Sequence, residues 1–101
     1  MSLRDETIQT LRDHQTHFAA LGVKRLGLFG SLARNEANAK SDVDLLVEFQ
    51  AGQKTFDHFM KLSFLLEEVF QRRVDLVTHE ALSPYIGPHI LKEVEYVDIA
   101  A

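Results

Sequence analysis

The sequence predicts an α+β fold, a small mixed β-sheet with helices packed on it. Two observations predict it. Three short apolar runs, residues 23–29, 42–49 and 72–78, read as strands. Longer segments between and around them carry apolar residues at helical spacing, giving the order α-β-α-β-α-β-α. At 101 residues the chain has little room for a second core, so one domain spanning residues 1–101 is expected.

The first helix is predicted over residues 3–21, where Ile8, Leu11, Phe18 and Leu21 fall roughly on one face. Gly22 is placed to end it. "VKRLGLF" follows as a strand, and "SLARNEA" as a short helix that Ser31 can cap. "NAKS" is a loop. "DVDLLVEF" is the second strand, and its run Leu45-Leu46-Val47 predicts burial on both faces. "QAGQKT" is a turn whose Thr55 caps the next helix, residues 56–70. That helix is apolar around most of its girth, more than one sheet face requires, so part of it is a candidate partner surface. "RRVDLVT" is the third strand. A short helix starting at Pro88 closes the order, and residues 92–100, "KEVEYVDIA", are the other candidate contact segment.

Composition narrows the function classes. The chain is 46% hydrophobic and 26% charged, which suits an ordinary folded domain. A net charge of −4 provides no broad basic field for direct nucleic-acid binding. With no cysteine, thiolate metal sites and Cys nucleophiles are excluded. No stretch is long and apolar enough to span a membrane, and the N-terminus lacks a signal-peptide core, so the cytoplasm is the expected location.

Gly30-Ser31 stands where a strand gives way to a helix start. Free N–H groups gather there and glycine permits close backbone approach, which makes a seat for phosphate. A plain turn with an N-cap is the alternative for such a dipeptide. Asp42 and Asp44 are separated by one residue, so in a strand both carboxylates project from the same face. Two close carboxylates repel, and a hard dication such as Mg²⁺ relieves that repulsion with oxygen ligands and phosphate as co-ligand. Two solvated acids are the alternative. An EF-hand loop is excluded, because Leu45 and Leu46 stand where oxygen ligands and glycine should follow. Asp75 lies between Val74 and Leu76, and joins the acid pair if the third strand lies beside the second; a lone acid at a strand edge is the alternative. Arg34 either reaches a phosphate or remains an ordinary surface cation. The histidines at 14, 17, 58, 79 and 89 lack the companion ligands that zinc needs.

Gly30-Ser31, then Asp42-Val43-Asp44 after ten intervening residues, then Asp75 on its own strand, resembles the nucleotidyltransferase superfamily of DNA polymerase beta. "LFGSLARNEANAKSDVDLLVEF", "RRVDLVT" and "ALSPYIGPHILKEVEYV" resemble more closely the minimal nucleotidyltransferases, the MNT antitoxins paired with HEPN toxins. The resemblance implies the nucleotidyltransferase core fold, without the extra domains with which larger members grip bases. It implies that Gly30 and Ser31 bind the triphosphate of ATP, that Asp42 and Asp44 ligate two Mg²⁺ ions, and that Asp75 completes the second ion's shell. The implied reaction moves AMP from ATP to a hydroxyl, a tyrosine on the partner HEPN toxin. A hetero-oligomer with that toxin is expected, and a homodimer is compatible. The family usually reads Ala-Arg-Gly-Glu where this chain has Ala33-Arg34-Asn35-Glu36, and asparagine is the next best residue for the left-handed geometry that a glycine serves there. Two other functions compete: a module that neutralises its toxin by contact alone, and a sugar-nucleotide transferase using the Asp-x-Asp pair, for which the chain is short and Gly30-Ser31 has no use.

Overall fold

The computed structural model describes residues 2–100, so the two end residues of the expected domain, 1 and 101, lie outside the described residues. Helices α1 (Leu3–Asp13) and α2 (Gln15–Ala19) precede strand β1 (Val23–Phe29). A four-residue helical turn, α3 (Gly30–Ala33), leads to β2 (Val43–Phe49), α4 (Phe56–Phe70) and β3 (Val74–Thr78). A 3₁₀ turn at His79–Ala81, α5 (Gly87–Glu93) and β4 (Glu95–Asp98) complete the chain.

The sheet order is β3-β2-β1-β4. β1 pairs antiparallel with β2 and β4, whereas β2 and β3 are parallel, because α4 carries the chain back across the sheet between them. Val43, Leu45 and Val47 alternate onto the face that packs against Ile8, Leu11, Phe18, Leu62 and Leu66. Each such fully buried leucine or phenylalanine stabilises the fold by about 1.5–3 kcal/mol. Leu46, on the opposite face, is also fully buried, so β2 is buried on both sides as its sequence predicts. That second face carries Asp44, Leu46 and Glu48 along β2, with Arg25 paired to Glu48 and stacked 3.7 Å from the Tyr96 ring centroid.

Several expectations need correction. The predicted helix over residues 3–21 breaks at His14. Thr7 and Thr10 return their hydroxyls to the carbonyls of Leu3 and Glu6, and the His14 ring contacts the Thr10 carbonyl at 3.0 Å. Such back-bonding bends helices. Thr55 caps α4 as expected, accepting from the His58 N–H at 3.0 Å, but Ser31 caps nothing: α3 begins one residue earlier, at Gly30, with Phe29 at its cap position. β2 begins at Val43, which leaves Asp42 just outside the strand, and β3 begins at Val74 rather than residue 72. Residues 92–100, one of the two candidate contact segments, belong to the folded domain, with Lys92 exposed on α5 and Glu95 and Asp98 exposed on the edge strand β4. They supply the end of α5 and β4, and Val97 and Ile99 are buried in the core. On α4 the apolar excess is exposed: Leu62 and Leu66 are buried, while Phe56 and Phe64 are 82% and 64% exposed.

Candidate active site

Topology gathers Gly30, Asp44 and Asp75 at one end of the sheet, where β1 finishes and β2 and β3 begin. In the parallel pair, Val43 stands beside Val74 and Asp44 beside Asp75. Both acids therefore lie one residue into neighbouring strands, pointing to the same face. β1 runs the other way, so its last residue, Phe29, pairs with Asp44 and hands the chain directly to Gly30. Gly30 has φ +74°, and a Cβ built on it would stand 2.1 Å from Asp44 Oδ2. The glycine turn and the acid pair are thus in direct contact.

Burial pushes the Asp44 carboxyl up from an ordinary 3.8 to about 6, and the charges of Asp75 and Asp42 add to the rise. Protonated Asp44 also donates a hydrogen bond to Asp75, and the Arg34 cation offsets part of the shift. A carboxyl in this position is short of positive charge. The nearby donors are all oxygens, which suits Mg²⁺ rather than a softer metal. Among the described residues no group of three His, Cys, Asp or Glu side chains is gathered to hold a metal unaided. Oxygen ligands from elsewhere, such as phosphate and water, fit a Mg²⁺ shell of this kind.

Arg34 ends α3 and donates to Glu36 at 2.6 Å and to Glu93 at 2.9 Å. Asn35 follows with φ +59°, so asparagine does occupy the left-handed position. Ser31 is half-buried at the first turn. Glu93 is the residue that the sequence reading missed. Its Oε1 accepts the Gly30 N–H at 3.1 Å across 63 positions of chain, and no local pattern announces such a contact. The His14 and His17 rings lie tilted with centroids 6.0 Å apart, His14 between the first two helices, and join no metal-ligand group among the described residues. An apolar cavity of about 360 Å³ lies between α4 and β3, lined by Phe56, Phe59, Leu76 and Thr78 among others, and the acids do not line it.

Residues 7–97 match the family described as the nucleotidyltransferase domain. The protein adenylyltransferase MntA of Thermococcus cleftensis is 42% identical over 76 residues, 75% of this chain and 76% of that protein. A Methanocaldococcus jannaschii protein, provisionally named a protein adenylyltransferase, is 44% identical over 72 residues, 71% of this chain and 76% of that one. Among solved structures, a provisionally assigned minimal nucleotidyltransferase superposes with a TM-score of 0.71 at 35% identity, covering 94% of this chain and 95% of its own. A toxin–antitoxin complex with AMP-PNP superposes with a TM-score of 0.64 at 22% identity, covering 92% and 70%, and shares the fold.

Proposed function

The chain belongs to the nucleotidyltransferase domain family, and on that premise we propose that it transfers AMP from MgATP to a hydroxyl, a tyrosine, on a partner HEPN toxin, which it thereby silences. The observation that carries this reading is the register of Asp44 with Asp75 beside the Gly30 turn. The relatives named protein adenylyltransferases support the reaction class, and solved complexes of MntA with HepT share the fold. The ATP requirement supports a cytoplasmic site of action, and the small surface supports work in a hetero-complex.

In this reading Gly30 and Ser31 hold the triphosphate, with Arg34 near its charge. Asp42 and Asp44 would hold two Mg²⁺ ions, and Asp75 would complete the shell of the second. Mg²⁺ held there would neutralise phosphate charge and lower the pKa of the attacking hydroxyl. Asp75 orients that hydroxyl and takes its proton. The hydroxyl oxygen bonds to the α-phosphorus, the bond from that phosphorus to the bridging oxygen breaks, and pyrophosphate leaves.

The test is intact-mass spectrometry of the co-expressed toxin after incubation with the protein, ATP and Mg²⁺. Added AMP units are expected. A wild-type protein that blocks its toxin without adding AMP would replace this reading with neutralisation by contact.

A further inference from the structure

We propose that Glu93 is the positioning residue of the nucleotide seat, one carboxylate that clamps both ends of α3. The inference rests on the reading of Gly30-Ser31 as that seat. α3 has only four residues, far below the length at which a helix holds itself together, and Phe29 at its cap position supplies no side-chain hydrogen bond. Glu93 supplies both missing restraints. Its Oε1 accepts from the Gly30 N–H at the start of α3, and its Oε2 accepts from Arg34 Nη1 at the end. Both bonds are charge-assisted.

The clamp has a firm base. Glu93 is the last residue of α5, and the next residue, Val94, packs so closely on Gly27 of β1 that a Cβ there would lie 2.4 Å from Val94 Cγ2. β4 then pairs with β1 along Arg25 to Leu28. Glu93 is therefore tied to the strand that delivers Gly30. Its side chain is 25% exposed against 50% for Arg34, so it is the more sheltered member of the pair. A carboxylate at a site for triphosphate is repulsive in itself, so the clamp makes a signed claim: order gained outweighs repulsion added.

The experiment compares Glu93→Ala and Glu93→Gln with wild type. Amide hydrogen exchange is read first, on metal- and nucleotide-free protein. Exchange at residues 30–34 should rise at least tenfold in Glu93→Ala while α4 stays protected. MgATP affinity by calorimetry should fall roughly tenfold, the range of a lost charge-assisted hydrogen bond. KM for ATP should rise in parallel with kcat held within about twofold, and Glu93→Gln, which keeps one acceptor, should fall between. Unchanged exchange at 30–34 overturns the clamp. Tighter MgATP binding by Glu93→Gln also overturns it, since the carboxylate would then be a competitor for phosphate. If wild type transfers no AMP yet the exchange and affinity losses occur, the clamp stands and the transferase reading falls.

Discussion

Gly30 and Asp44 leave no space between them: a Cβ on the glycine would come 2.1 Å from the acid's Oδ2. The glycine at the end of β1 is required by the neighbouring carboxylate as well as by its own φ of +74°. Gly30→Ala should cost about 1–2 kcal/mol of stability from the left-handed backbone alone. It should also displace Asp44, so MgATP binding should fall further than in Ser31→Ala, which removes only a hydroxyl. Thermal melts and calorimetry on both variants check this; equal binding losses would contradict it.

The raised pKa of Asp44 sets a pH dependence for the metal-free protein. Folded Asp44 titrates near 6 and the unfolded chain near 3.8. The stabilising preference for the proton is fully present below about pH 4 and is lost as pH rises through 6. Asp44→Asn mimics the protonated form. It should match wild type near pH 4 and exceed it above pH 7 by on the order of 1 kcal/mol, a figure already reduced for solvent screening. Urea unfolding at the two pH values is the measurement, and a wild-type advantage at pH 7.5 would return Asp44 to a structural role. Mg²⁺ with ATP should bind more weakly at pH 5.5 than at 7.5, because the carboxyl must lose its proton to ligate.

Asp75→Asn separates binding from chemistry. Asp75 is the more exposed member of the pair, and in the proposed reading Asp44 with Asp42 remains to meet the nucleotide's metal. MgATP affinity should stay nearly intact while AMP transfer falls by more than the roughly 10²–10⁴-fold typical of a lost positioned base, since metal placement also suffers. Single-turnover assays read by mass spectrometry test it. Wild-type transfer by the variant would remove Asp75 from the reaction.

Phe56 and Phe64 are large, exposed and on the helix whose apolar girth exceeds its buried stripe. If the toxin partner of the proposed reading uses that surface, changing both to serine should leave the melting temperature within about 2 °C, because little burial is lost. The hetero-complex should then weaken in native mass spectrometry. An undiminished complex would place the contact elsewhere.

Local chemistry made much of this protein legible in its sequence. Thr55 marks the start of α4 and the run Leu45-Leu46-Val47 marks a strand buried on both faces, because each depends on neighbours a few positions away, while the left-handed Asn35 was legible through the family's glycine at that place. The spacing of Gly30-Ser31 and Asp42-Val43-Asp44 marked the family for the same reason. Tertiary structure decided the rest. Whether Asp75 joins the acids depended on the parallel register of β3 with β2, which α4 sets and no short motif encodes. The edge strand β4 was hidden because only Val97 and Ile99 of its segment are buried, a pattern too brief to distinguish from a tail. The break at His14 depends on which carbonyls the threonine hydroxyls and the His14 ring reach. Glu93 reaches Gly30 across 63 residues, and a contact of that range exists only once the sheet has brought β1 and the end of α5 together.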